Sequence, residues 1–175
     1  PRRLIAAHLG SGASMCAILD GKSVATTMGF STADGLVMGT RTGSIDPGVL
    51  VALLRDEKLS LDQLEDLLYR KSGLLGLSGI SPDMRTLLAS DRPEAREAID
   101  YYCYSAARHA ASLVTALNGV DAIVFTGGVG ENAGAVRDKI MGHLQWLNIA
   151  AVQVVPANEE RAMALLAERM KQPLP

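Results

Sequence analysis

Apolar and polar positions divide the chain into two kinds of pattern. Short apolar runs occupy Leu4 to Leu9, Ser14 to Leu19 and Ser23 to Met28, each the length of a strand. Gly10-Ser11-Gly12 separates the first pair and Asp20-Gly21 the second, so the runs predict a meander with a two-residue hairpin turn at its second bend. From Asp46 the spacing becomes helical. Asp46 can cap a helix with Pro47 at its first position, and Ser60 with Gln63 makes a capping box for Leu61 to Lys71, stopped by Gly73. Gly73 to Ile80 is punctuated by glycine, and Ser81-Pro82 predicts the start of a short helix carrying Asp83, Met84 and Arg85. Ile99, Cys103, Ala106, Ala110, Leu113 and Leu117 recur at steps of three and four, which predicts a long helix from about Pro93 to Leu117 ended by Asn118-Gly119. A strand over Ala122 to Phe125, a tight turn over Thr126 to Gly130 and a helix from Glu131 follow. Val152 to Val155 reads as another strand, and Asn158 as the cap of a last helix through Met170. A meander followed by alternating helices and strands predicts an α/β domain with a mixed central sheet flanked by helices.

The composition supports a globular chain: 175 residues, 48% hydrophobic and 21% charged, a length of roughly one to two domains. A net charge of -2 gives no basic field for a polyanion, which argues against nucleic acid as a partner. Cys16 and Cys103 lie far apart and form no CxxC pair, as expected in a reducing, cytoplasmic setting. No run approaches the roughly 20 apolar residues that span a bilayer, so no membrane is implied. The chain opens on Pro1 and enters a strand-like run at Leu4, which predicts a fragment of a longer fold.

Chemistry concentrates in glycine-bearing turns, because glycine lets backbone N–H groups approach phosphate oxygens that a Cβ would hold away. His8-Leu9-Gly10-Ser11-Gly12 lies between two predicted strands and, taken alone, is equally well an ordinary hairpin. Thr126-Gly127-Gly128-Val129-Gly130-Glu131-Asn132 follows a buried strand and opens a helix, a setting for an anionic or nucleotide ligand. Asp83-Met84-Arg85 offers a carboxylate and a guanidinium at a helix start; alone, it reads as a capping Asp beside a surface Arg. Met38-Gly39-Thr40-Arg41-Thr42-Gly43 places one arginine in a Gly/Thr-rich loop, where it could neutralise a transferring phosphoryl group or bond loop carbonyls. Glu159 and Glu160 follow Asn158 at a helix start, which the helix dipole favours with or without a metal. His109 reads as a structural histidine, His143 as a surface one, and Trp146 with Leu144 and Leu147 as core in preference to a subunit contact. Walker A, HExxH and GxSxG motifs are absent from the sequence.

In order along the chain, these segments resemble the second half of the acetate kinase family. The resemblance is carried by Ala7-His8-Leu9-Gly10-Ser11-Gly12-Ala13-Ser14, Thr27-Met28-Gly29-Phe30, Gly35 to Gly43, Ile45-Asp46-Pro47, Lys71 to Gly79, Ser81-Pro82-Asp83-Met84-Arg85, Asp121 to Asn132 and Asn158-Glu159-Glu160. It implies an actin-like, sugar-kinase-like (ribonuclease H-like) domain: the nucleotide-binding C-terminal domain over residues 1–175, with an N-terminal domain missing. It further implies ATP or ADP held by His8, Leu9, Gly10, Ser11 and Gly12 on the phosphate side. Asp83, Met84, Arg85, Gly128, Val129, Gly130, Glu131 and Asn132 would hold the adenosine side. Arg41 would be the catalytic guanidinium, Glu159 a ligand of Mg²⁺, a short-chain carboxylate the acceptor, and the parent enzyme a homodimer. Ser11 stands where the family usually has asparagine, which shortens side-chain reach. The blocks do not separate acetate from propionate as substrate.

Two other classes of function are compatible with parts of the sequence. Gly128-Val129-Gly130-Glu131-Asn132-Ala133 fits a dinucleotide fingerprint, but no acidic residue stands at the end of the strand at Val152 to Val155 to take a ribose hydroxyl. A non-catalytic actin-like ATP-binding or assembly protein would share the fold.

Overall fold

The computed structural model describes residues 1–170, apart from several side chains of the last helix. Three strands, β1 (Arg3–Leu9), β2 (Ala13–Leu19) and β3 (Lys22–Thr26), form the predicted antiparallel meander. Asp20 and Gly21 have φ of 49° and 78°, the pair of positive values that a type I′ hairpin turn requires. β3 begins one residue before the predicted start and ends two before Met28, where the chain leaves the sheet.

The helices α1 (Pro47–Arg55) and α2 (Leu61–Arg70) start where the capping residues indicate. Asp46 Oδ1 accepts the Gly48 N–H at 2.6 Å, and the Ser60–Gln63 capping box is complete. α1 is apolar yet has no buried residue. The glycine-punctuated segment, to which the sequence pattern assigns no element, forms a helix, α3 (Gly73–Ser78). Gly73 adopts φ +60°, and the N–H groups of Leu74 and Leu75 donate to the Met38 and Gly39 carbonyls at 2.9 and 3.0 Å. The orphan donors of this helix start are thus satisfied by a loop more than 30 residues earlier, which no local pattern announces. Gly79, at φ +61°, closes the helix as a left-handed cap.

After α4 (Met84–Leu88), the long helix α5 (Pro93–Leu117) has the predicted bounds, ending on Asn118 in the left-handed region. β4 (Ala122–Thr126) leads directly into α6 (Gly127–Asn132), where the sequence predicts a turn. The chain breaks at Ala133 and resumes as α7 (Gly134–Leu144). β5 (Ala151–Val154) and α8 (Glu159–Met170) complete the described chain, and Asn158 Oδ1 caps α8 by accepting the Arg161 N–H at 3.0 Å.

The sheet order is β3-β2-β1-β4-β5, with β1 parallel to β4 and β4 parallel to β5. The antiparallel meander on one side distinguishes this mixed sheet from the parallel sheet of a dinucleotide-binding fold. Ile5, Ala7, Leu9, Met15, Ala17, Ile123 and Phe125 of the sheet pack with Ile99, Tyr102, Cys103, Ala106, Leu113 and Leu117 of α5 and Val136 and Ile140 of α7 in one core. Leu144 joins that core and Leu147 packs at its margin, but Trp146 is 64% exposed. Its indole N–H donates to the His143 carbonyl at 3.1 Å, a partner on its own surface turn, so the aromatic ring needs no buried site. No helix among the described residues is long and apolar enough to cross a membrane.

Candidate active site

Because β1 and β4 are parallel neighbours, their C-terminal ends lie side by side, with His8 opposite Thr126. The two glycine turns leave from those ends and face a common cleft of about 1200 Å³. Gly127 carries φ +80°, and a methyl group there would sit 2.8 Å from the Leu9 carbonyl oxygen. Only glycine allows this approach. A methyl at Gly10 would lie 3.9 Å from the Gly128 nitrogen, so the turns are in contact reach of one another.

The cleft gathers most of the residues singled out in the sequence. His8, Gly10, Ser11, Gly12, Arg41, Asp83, Met84, Arg85, Gly128, Val129, Glu131 and Asn132 line it. Leu9 and Gly130 do not: both are buried, and a methyl at Gly130 would meet Leu9 Cβ at 3.6 Å. They pack under the cleft floor, because alternation along β1 points Leu9 away from the face where His8 emerges. Glu159 opens α8, but its side chain lies outside the described residues.

Arg41 reaches the first turn from the loop between β3 and α1. Its Nη1 donates to the Thr32 carbonyl at 3.0 Å, and a methyl placed on Gly12 would be 3.5 Å from that same nitrogen. The guanidinium is therefore held over Gly12 with donors left to spare. Thr32 and Asp34 also line the cleft, although no motif drew attention to them. Asp34 Oδ1 accepts from the Gly35 N–H at 2.7 Å and from Ser44 Oγ at 3.0 Å, which fixes the loop that supplies the Thr32 carbonyl. His109 is partly buried on α5 and hydrogen-bonds the Gly35 backbone. Burial foremost, with the neighbouring Arg108 charge, holds its imidazole below the usual histidine value, against opposing effects of Asp34 and that hydrogen bond. It belongs to the support of the cleft.

Asp83 is the cap of α4, accepting the Arg85 N–H at 2.8 Å, and Arg85 Nη2 donates back to its carboxylate at 3.1 Å. The side-chain hydrogen bond from Arg85, then the one from its backbone, holds the Asp83 carboxyl below the ordinary carboxylate range. Near this exposed pair, Met84, Leu88, Val129 and Ala133 supply apolar lining. The cleft thus combines apolar side chains with glycine-rich backbone and the guanidinium groups of Arg41 and Arg85, the makeup of a small-molecule site. Among the described residues, no group of three or more His, Cys, Asp or Glu converges as a metal cage.

Glu131 has a position that its sequence context did not announce. A single oxygen, Oε1, accepts the Gly127 N–H at 2.9 Å and the Ala157 N–H at 2.8 Å. From the other end, Arg137 Nη1 donates to the Gly130 and Glu131 carbonyls, both at 2.9 Å. These bonds replace the predicted turn by the short helix α6.

Comparison with known proteins places the sequence and the fold. The model of the Acetokinase family matches residues 2–168. An acetate kinase from Rhodopseudomonas palustris is 56% identical over 147 residues, covering 84% of this chain and 37% of that protein. A crystal structure of Porphyromonas gingivalis acetate kinase superposes with a TM-score of 0.91 at 33% identity, covering 98% of this chain and 49% of that one. A propionate kinase from Francisella tularensis superposes at 0.85 and 37% identity, covering 90% and 46%. The chain spans less than half the length of each of these relatives. Its mixed five-stranded sheet flanked by helices is the actin-like, sugar-kinase-like arrangement implied by the sequence blocks. By family match, identity and backbone, the chain belongs to the acetokinase family.

Proposed function

We propose that this chain is the nucleotide-binding half of an acyl-phosphate kinase, which transfers the γ-phosphoryl group of ATP reversibly to acetate and forms acetyl phosphate and ADP. One observation carries this reading: two glycine turns from adjacent parallel strands and the Arg41 guanidinium face one cleft, with Arg41 over Gly12. A carboxylate oxygen of the acceptor would attack the γ-phosphorus as the bond to the β–γ bridging oxygen breaks, leaving ADP. Phosphoryl transfer of this kind depends on positioning and charge stabilisation. The turn from His8 to Gly12 would receive the phosphates. Asp83 to Arg85, Gly128, Val129 and Asn132 would flank the adenosine, with Leu9 and Gly130 supporting from below and Glu131 holding the backbone of the turn.

Arg41 would stabilise charge on the transferring group, for which a planar guanidinium fork is suited. Mg²⁺ coordination usually combines one or two protein carboxylates with substrate phosphates and water. The described cleft offers no protein cage for it, and a donor set of that kind asks only for Glu159 beside bound phosphates. The ion would neutralise phosphate charge. The other half of the reaction site, the acyl pocket included, would come from the part of the relatives that this chain does not match, and the intact protein would be a homodimer. A propionate kinase backbone superposes nearly as well, so acyl-chain length is read elsewhere.

Hydroxamate trapping of acetyl phosphate, with the intact protein carrying this chain, tests the activity. Calorimetric titration with ADP and NAD tests the cleft: ADP should bind in preference. Preferential binding of NAD would overturn the reading.

A further inference from the structure

The geometry points to Glu131 as a positioning residue that locks the segment after β5 onto the second glycine turn, rather than as a group that contacts nucleotide. Both bonds of its Oε1 are already committed to backbone N–H groups, one in its own helix and one 26 residues away at Ala157. The chain reaches Ala157 along a stitched path. Val155 N–H donates to the Phe125 carbonyl at 2.9 Å, Pro156 has no N–H to offer, and Ala157 then docks on Glu131. Ala157 itself lines the cleft, and the next residues are Asn158, which caps α8, and Glu159. The Glu131 carboxylate therefore sets where the α8 block stands relative to the Gly127 to Gly130 backbone. Arg137 fixes the far end of α6 through the Gly130 and Glu131 carbonyls, so the helix is clamped from both ends although it spans only six residues.

The role depends on one acceptor oxygen at one distance from the backbone, which separates it from a role in charge. Glutamine keeps that oxygen; alanine removes it; aspartate withdraws it by one methylene. The experiment measures amide hydrogen exchange at Gly127 and Ala157, together with ADP affinity, in the chain and its Glu131→Gln, Glu131→Ala and Glu131→Asp variants. Protection at Ala157 should survive in Glu131→Gln and fall by about tenfold or more in the other two. ADP affinity should stay within about twofold for Gln and weaken by about tenfold for Ala and Asp, well below their melting temperatures.

The affinity part rests on the nucleotide reading proposed above, whereas the exchange part does not. If the unsubstituted chain fails to bind ADP, that reading falls while Ala157 exchange still decides the clamp. Equal loss of ADP affinity in Gln and Ala would overturn the inference, since it would show that charge toward the ligand is what matters. Unchanged Ala157 exchange in Ala and Asp would overturn it as well. If the Ala variant does not fold, the Asp variant carries the same comparison.

Discussion

The two glycine turns face the same cleft but are held in different ways. The turn at Gly10 to Gly12 is a backbone object: the Gly10 N–H donates to the Gly12 carbonyl at 2.9 Å, and the Ser11 carbonyl accepts from Gly39 N–H at 3.0 Å. The turn at Gly127 to Asn132 is held by side chains, with Glu131 on its N–H end and Arg137 on its carbonyl end. The first turn therefore needs no side chain to hold it. The second depends on residues that are chemically ordinary in the sequence, and one of their partners lies on a different strand's exit.

The largest expected effect concerns the guanidinium over the first turn. Arg41→Ala in the intact protein should lower kcat by about 10²–10³, or ~3–4 kcal/mol, with little change in nucleotide affinity. Arg41→Lys should also be poor, since an ammonium lacks the fork geometry. Steady-state kinetics beside thermal melts check this: a deficit that tracks lost stability would place Arg41 among the loop's structural bonds to Thr32.

A stability contrast inside the second turn comes next. Gly127→Ala meets both a left-handed φ and the Leu9 carbonyl at 2.8 Å, whereas a methyl on Gly128 meets nothing within 4 Å. The first substitution should cost about 3 kcal/mol, lowering Tm by about 6–12 °C, and the second less than about 1 kcal/mol. Similar melting curves for the two would dissolve the contrast.

Arg137→Ala then tests whether side chains hold that turn. Removing two charge-assisted bonds to carbonyls should cost about 1–2 kcal/mol in urea titration and speed exchange at Gly127, while the amides of Gly10 and Gly39, bonded at the first turn, keep their protection. Loosening of both turns together would mean that they form one unit.

The smallest effect lies at the opposite ends of the same two strands. Asp121, just before β4, accepts the backbone N–H groups of Arg2 and Arg3, each at 3.0 Å, and Arg3 Nε at 2.9 Å. The Arg3 side chain foremost, then its backbone, holds the Asp121 carboxyl down at about 2. A folded pKa below the unfolded value of about 3.9 means that the stabilisation is present above pH ~4 and is lost as pH falls through about 2. Asp121→Asn should thus narrow its deficit against the parent chain across that window in urea titrations, and neither turn should respond. A deficit that stays constant down to pH 2 would contradict the ionic account.

Much of this was legible in local residue order. The meander, the Asp20-Gly21 hairpin, the Asp46 and Ser60 caps and the bounds of α5 each rest on patterns complete within a few residues, where backbone sterics and hydrogen-bond geometry act locally. Both glycine turns and Arg41 stood out for the same reason, since glycine density and a lone arginine in a Gly/Thr loop are visible in the string itself. Asp34 and Thr32 did not stand out, because their roles consist of distances to Ser44 and Arg41 that folding creates.

The sequence alone determined the meander, the capped helices α1 and α2 and the bounds of α5, which turns are dense in glycine, and, through ordered blocks, the family. Tertiary structure decided the rest: that Gly73 starts a helix by borrowing carbonyls from Met38 and Gly39, that Leu9 and Gly130 support the cleft from below, that Trp146 faces outward, and that Glu131 ties Gly127 to Ala157. The physical reason is common to these cases. Hydrogen bonds and contacts between residues far apart in the chain exist only after the sheet has aligned the strand ends, so a local pattern carries the capacity for such contacts but not the partner.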